Sequence, residues 1–234
     1  MKSPAPLKRL LLLLLLTQSA KPQTVDINTL GRIVTFFDQN YQTFSVNRDP
    51  QQYAVAINVL RTQCEKDFLP KRSNFLKEES PDVKTFNPLY EGKELIVARV
   101  KKADGFSIHA ERLLLTSIEN HSIPPMTNLL NKLKDSCTIF YTYKSPCVKS
   151  CLNESSPYNI LSGLDNWSKH SSVKAFVFKD IFWADKPKEN LQESFKKIVA
   201  RVPLYRCVSE NECYACKGEG NTPIDAHCLP PPEN

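Results

Sequence analysis

Glycine is scarce in this chain, with six in 234 residues, while 41% of the residues are hydrophobic. That combination excludes a disordered or low-complexity polymer and favours a packed core. No internal repeat is present, which argues against a solenoid or propeller. Beyond residue 20 no stretch is long and apolar enough to span a membrane, for which roughly 20 such residues are needed. Excess charge is also small. The whole chain has 31 basic and 25 acidic side chains, a net +6. Its first 20 residues hold three of the basic ones and no acidic one, leaving 28 against 25, or +3. Such a balance permits a nucleic-acid partner without arguing for one.

What the chain does have begins at its N-terminus. Lys2, Lys8 and Arg9 precede an unbroken leucine run, Leu10 to Leu16, followed by Thr17-Gln18-Ser19-Ala20. A basic start, a short apolar run and small residues predict a secretory signal peptide over residues 1–20, cleaved after Ser19 or Ala20. The run is too short for a membrane anchor. About 214 residues remain, enough for one sizeable domain with an appendage. Composition divides them into a domain over 21–205 and a Cys- and Pro-rich tail over 206–234.

A secretory leader sets the eight cysteines in an oxidising compartment. They are Cys64, Cys137, Cys147, Cys151, Cys207, Cys213, Cys216 and Cys228. If Cys147 and Cys151 hold a metal, six remain, and these predict three disulfides in any of fifteen connectivities. The rival arrangement pairs all eight and binds no metal. Parity does not separate the two. Asn120, Asn153 and Asn166 each open an Asn-x-Ser sequon and are expected glycan sites in a secreted chain.

Hydrophobic periodicity predicts a helix over 24–42 and buried strands over 53–60 and 94–100. Residues 61–92, broken by Pro70, Pro81 and Pro88, read as a long connection. A helix is expected from Ser107 to Glu119, ended by Pro124-Pro125. A strand follows over 137–143, and Ser145-Pro146 reads as the opening of another helix. Further on come a strand over 173–182, an amphipathic helix over 189–200 and a possible strand over 202–208. The order predicts a mixed α/β fold, a central mixed sheet of about five strands flanked by helices.

Two short segments point at chemistry. His109-Ala110-Glu111 lies at a predicted helix start, and Pro146-Cys147-Val148-Lys149-Ser150-Cys151 follows a predicted strand. One His and two Cys supply three protein ligands, as a catalytic zinc site requires, and leave a fourth position for water. Glu111 remains as an acid/base beside them. Four residues apart, Cys147 and Cys151 would fall on one face of a helix. Taken singly, a His-x-Glu is commonplace and a close cysteine pair is often a disulfide; their order and setting at two strand-to-helix junctions give the pattern its weight. Cys213-Tyr214-Ala215-Cys216 and the His227-Cys228 pair read as structural rather than as redox or metal centres.

These residues resemble the AID/APOBEC-like branch of the cytidine deaminase superfamily, whose mark is His-x-Glu followed by Pro-Cys and a second cysteine. The resemblance rests on His109-Ala110-Glu111, on Thr142 to Cys147 with Cys151, and on Ala175 to Asp185. With the leader, the chain looks most like the secreted members of that branch. The resemblance implies a cytidine-deaminase-like three-layer fold over 21–205. It implies zinc (Zn2+) on His109, Cys147 and Cys151, with Glu111 as proton shuttle. It also implies hydrolysis of a cyclic amidine C–N bond, cytosine becoming uracil, in single-stranded DNA, single-stranded RNA or a free cytidine-type nucleoside. A role in immune defence outside the cell comes from the same source. Phe182 and Trp183 would stack on the base or its neighbour. The chain departs from the pattern in four ways. It has Pro-Cys-x-x-x-Cys for Pro-Cys-x-x-Cys, a longer gap between the half-motifs, Tyr143-Lys144-Ser145 where a Trp is usual, and Ile181 where many relatives have an aromatic facing the substrate. A second reading is a secreted, disulfide-bonded binding or regulatory protein that keeps the fold without catalysis.

Overall fold

The computed structural model describes residues 24–79, 81–117 and 123–231. The leader read over 1–20, the Asn120 sequon and the last two residues of the helix read over 107–119 lie outside them. Among the described residues no helix is long and apolar enough to cross a membrane.

The fold is organised by strands apolar on both faces. In β1 (Tyr53–Val59) every residue is buried. Tyr53, Val55, Ile57 and Val59 pack into one core, Ala54 and Ala56 into another. The same alternation splits Ile139 and Tyr141 from Phe140 in β6 (Ser136–Lys144). It splits Ala175 and Val177 from Phe176 and Phe178 in β7 (Ser172–Asp180). Because side chains alternate along a strand, this sequence pattern demands a covering layer on each side of the sheet.

Around these three lie β2 (Leu89–Glu91), β3 (Leu95–Arg99), β8 (Leu204–Ser209) and β9 (Glu212–Ala215). The order is β2-β3-β1-β6-β7-β8-β9. β1 runs antiparallel to β3 and β6, β6 to β8 run parallel, and β9 returns antiparallel to β8. The sheet is mixed, as expected, with seven strands rather than about five. Both additional strands, β2 and β9, are short and lie at the edges, inside segments rich in Pro or Cys where no alternation is visible. A separate hairpin, β4 (Lys101–Ala103) and β5 (Phe106–Ile108), turns at Asp104-Gly105, where Gly105 has φ +79.

One face is covered by α1 (Ile27–Tyr41), capped by Asp26, whose carboxylate accepts from the amides of Asn28 and Thr29. The other face carries α2 (Ala110–Leu115), α3 (Pro125–Lys132), α4 (Leu161–Ser168) and α5 (Leu191–Val199). These make the three layers. Asp38 of α1 accepts from the hydroxyls of Tyr53 and Tyr141 at 2.8 Å each and pairs with Lys179 at 2.6 Å, tying α1 to three strands.

Two expectations are corrected. Pro124-Pro125 does not merely end a helical region; it opens α3, with Pro at a position where the missing N–H costs nothing. The helix expected from Ser145-Pro146 is instead a turn over 148–152, and the next helix begins at Leu161. The 107–119 helix is also shorter than read, since residues 106–108 form β5 and α2 starts at Ala110.

Packing of α1 on the sheet is close at Gly31. A Cβ there would sit 2.1 Å from the carbonyl oxygen of Glu210, in the turn between β8 and β9. Neither backbone can yield cheaply. Gly31→Ala is expected to cost about 1–3 kcal/mol, lowering the melting temperature by roughly 2–4 °C per kcal/mol. Thermal denaturation followed by circular dichroism checks this; an unchanged midpoint would show that the contact is not tight.

Candidate metal centre

The short strand β5 delivers His109 to the N-cap position of α2, and the first turn of that helix carries Glu111 inward. The long strand β6 delivers Ser145, Pro146 and Cys147 from its C-terminal end. The turn after it brings back Cys151, with the Leu152 amide donating to the Cys147 carbonyl at 3.1 Å.

Three donor atoms meet there. His109 Nδ1 lies 3.7 Å from Cys147 Sγ and 3.4 Å from Cys151 Sγ, and the two sulfurs are 3.5 Å apart. Tetrahedral zinc with Zn–S of about 2.3 Å and Zn–N of about 2.0 Å requires edges of about 3.8 Å between sulfurs and about 3.5 Å from nitrogen to sulfur. The observed edges agree to within about 0.3 Å, so the donor set fits the ion in number, type and spacing. Both cysteines are free thiols and both are buried. Hydrogen bonds from the Cys151 thiol and then from His109 pull the Cys147 thiol far below its ordinary range, while Cys151, as the donor of the pair, is pushed up. The hydrogen bond to Cys147 raises His109. Surroundings that favour thiolate on one sulfur suit a metal ion.

Glu111 is 2% exposed. Its Oε1 accepts from Thr142 Oγ1 and from Gln52 Nε2, each at 3.0 Å. Gln52 in turn accepts from the Lys144 amide at 2.8 Å. Glu111 Oε2 is buried without a hydrogen-bond partner among the described residues. Burial pushes the carboxyl above its ordinary range, and neighbouring His109 offsets part of that. Gln52, Thr142, His109, Cys147 and Glu111 are thus one assembly, although Gln52 stood out in no sequence motif and Thr142 was read only as part of the segment leading to Cys147. Lone polar residues far along the chain from their partners leave no local signal.

The segment after β7 braces the cysteine turn. Ser145 Oγ accepts from the Phe182 amide at 3.0 Å, and Asp185, fully buried, accepts from the Val148 amide at 2.8 Å while pairing with Lys188. Phe182 lines a cleft of about 160 Å³ together with His109, Glu111, Cys147 and Gln52. Trp183 is not among its walls; the ring is 69% exposed, with its centroid 5.7 Å from that of Phe182. The two aromatics read as a pair therefore stand differently, one in the cleft and one on the surface. Ile181 is buried in the core.

The other six cysteines pair as Cys64–Cys137, Cys207–Cys213 and Cys216–Cys228. Cys213 and Cys216 are therefore not partners in a redox pair, and Cys228 is committed beside His227. Among the described residues, His109, Cys147 and Cys151 are the one group of three donors close enough to share an ion. Metal analysis of the purified protein is expected to find about one zinc per chain, lost in Cys147→Ala with the three disulfides intact by mass spectrometry. Zinc-free protein, or zinc retained by that variant, would show that the cluster is not the site.

No curated protein and no solved structure matches the chain. A family match does exist, and it extends well beyond the segments around the donors, from residue 28 to residue 231. With the three-layer fold and the His/Cys/Cys cluster already in view, the chain belongs to the family Secreted Novel AID/APOBEC-like Deaminase 1.

Proposed function

We propose that this protein is a secreted zinc-dependent deaminase that converts cytosine to uracil in single-stranded nucleic acid. The observation that carries the reading is the buried Glu111 carboxylate, one oxygen committed and the other without a partner among the described residues, beside three donors spaced for zinc. The signal peptide read over residues 1–20 belongs to the same proposal, as does a role in defence outside the cell.

Held by His109, Cys147 and Cys151, zinc would supply Lewis-acid activation of a water molecule. Everything else falls to the chain. Glu111 takes a proton from that water and delivers it to N3 of the ring as the water oxygen bonds to C4. It then carries the second water proton to the exocyclic amine. The C4–N bond breaks, ammonia leaves and uracil remains. Burial suits Glu111 to this work, because a carboxyl held above its ordinary range exchanges protons more readily near neutral pH. Gln52 and Thr142 hold Oε1 and leave Oε2 for the proton traffic. Phe182 forms a wall of the cleft against which the base can stack.

A polynucleotide is favoured over a free nucleoside by the groove beside this cleft. A hollow of about 620 Å³ shares Gln52, Val100 and Lys144 with it and adds Arg99, Lys101 and Lys102, with no acidic side chain among its walls. The net charge is modest, yet cations gather where a phosphate backbone would leave the site.

Glu111→Gln is expected to lower the rate of ammonia release from a cytosine-containing oligonucleotide by at least about 10²-fold, the low end of acid/base catalysis, with zinc content unchanged. Gln52→Ala is expected to lower it by roughly tenfold, a loss of about 1.4 kcal/mol in orienting the carboxylate. Undiminished turnover in Glu111→Gln would remove that residue from the mechanism. A zinc-loaded wild type inert towards DNA, RNA and cytidine alike would favour a binding protein that keeps the fold without the chemistry.

A further inference from the structure

A second recess lies on the other side of His109. It has a volume of about 200 Å³ and shares Ser107 and His109 with the cleft that holds Glu111. Two aromatic rings border it. Phe106 comes from the β4–β5 hairpin and is 45% exposed; Tyr158 comes from the segment after the cysteine turn and is 42% exposed. Their centroids are 6.2 Å apart and their planes 32° from parallel.

Arg112 fixes the arrangement. Its guanidinium sits 5.0 Å from the centre of the Tyr158 ring and donates to the carbonyl of Pro157. The tyrosine is therefore held from behind by a cation–π contact and by its neighbour's backbone. Arg112 is one residue past Glu111, so the same first turn of α2 carries the proposed proton shuttle inward and this bracket outward.

We propose that Phe106 and Tyr158 form a stacking subsite for an unpaired nucleobase next to the target cytosine. The inference rests on the deaminase reading above. Stacking on an aromatic face is how proteins hold splayed single-stranded bases without demanding a particular sequence. The chemistry of the recess matches: two partly exposed aromatic rings, with Ser107 and Ser150 as small polar walls. Continuity with the cleft selects the occupant. A base one nucleotide from the target would reach the recess past His109, while the strand on the opposite side would run into the lysine-lined groove. The three hollows thus follow one another along the β4–β5 hairpin, as a short stretch of extended strand would.

The experiment reads binding rather than turnover. Zinc-loaded Glu111→Gln protein is titrated, by fluorescence anisotropy, into a labelled single-stranded oligonucleotide with one cytosine. Parallel titrations use versions abasic immediately 5′ or immediately 3′ of it. Adding Phe106→Ala and Tyr158→Ala together is expected to weaken binding to the intact strand at least about fivefold, from stacking worth about 1 kcal/mol or more. Removing the base on one side is expected to weaken the parent protein to the same degree and to cost the aromatic variant nothing further. Tyr158→Phe, which keeps the ring, is expected to bind like the parent and guards against a simple folding defect. Equal binding by the double variant, or penalties that add when variant and abasic strand are combined, would overturn the subsite. Either result could stand beside normal ammonia release by the wild type, which would leave the deaminase reading intact. Failure of the parent to bind any strand would overturn the subsite and the polynucleotide reading together.

Discussion

A carboxylate out of water constrains more of this structure than any other single group. Glu111 can be buried only if its charge or its proton is accommodated, because an unpartnered buried polar atom costs about 1–3 kcal/mol. The fold meets that demand for one oxygen by bringing three distant elements together. Gln52 stands just ahead of β1, Thr142 lies near the end of β6, and Glu111 opens α2. Gln52 also bonds to Thr142 Oγ1 at 2.8 Å and to the Lys144 amide, so the start of β1 and the end of β6 are locked in one register. Since Cys147 leaves the end of β6, the network that orients the carboxylate also fixes where the sulfur can be. The other oxygen receives nothing from the described residues. A fold that satisfies half of a buried carboxylate so thoroughly, and leaves the other half bare beside three metal donors, carries a local cost at the point where chemistry is expected.

The cysteines present the complementary problem. Six of the eight cysteines are disulfide-bonded, and under conditions that oxidise them two thiols 3.5 Å apart are candidates for a bond as well. The structure keeps the roles separate. Cys137 sits near the start of β6 and pairs with Cys64, about seven residues or roughly 23 Å of strand from the end that leads to Cys147. Cys207–Cys213 closes the hairpin of β8 and β9, and Cys216–Cys228 ties the last residues against the core. Each of the six has a partner fixed by the sheet or its edge. Cys147 and Cys151 stay free, buried and joined to His109 by hydrogen bonds. A metal ion bound there would protect the pair further, since both sulfurs would be committed to it.

The central strands were legible in the sequence because each is a run of apolar residues long enough to need cover on both faces. Positions 53–60, 94–100, 137–143 and 173–182 all correspond to strands within about two residues. The His, Glu and two Cys were legible because their order and spacing are unusual in combination. The remainder was hidden for physical reasons. β2, β4, β5 and β9 are three or four residues long, too short to display alternation. The Pro124-Pro125 pair looked like a stop because proline breaks helix interiors, yet it is tolerated at a first turn and here begins α3. Gln52 acts through Glu111, Thr142 and Lys144, 59 to 92 residues away, and Asp185 reaches Val148 across 37 residues, so local sequence does not show whom they serve. Phe182 and Trp183 were indistinguishable as neighbours, and only the 3-10 turn at Trp183–Asp185 separates a cleft wall from an exposed ring.

The widened cysteine spacing has a structural answer different from the one its length suggests. A separation of four positions would suit a turn of α-helix, in which the amide of Cys151 would bond to the carbonyl of Cys147. Instead the Leu152 amide takes that carbonyl, five residues on, and the Cys151 amide approaches Cys147 Sγ at 3.4 Å. The turn is therefore wider than α-helical, in the manner of the single π-type turns found at functional sites. One extra residue is absorbed without parting the sulfurs. The change also frees a backbone donor for the Cys147 sulfur, which favours thiolate there. Such a wide turn has few internal bonds to hold it, and Asp185 supplies the missing restraint by binding the Val148 amide from the segment after β7. Insertion and brace are thus two halves of one solution: the longer cysteine loop keeps ligand geometry because a buried carboxylate from the 3-10 turn after β7 holds its first turn closed.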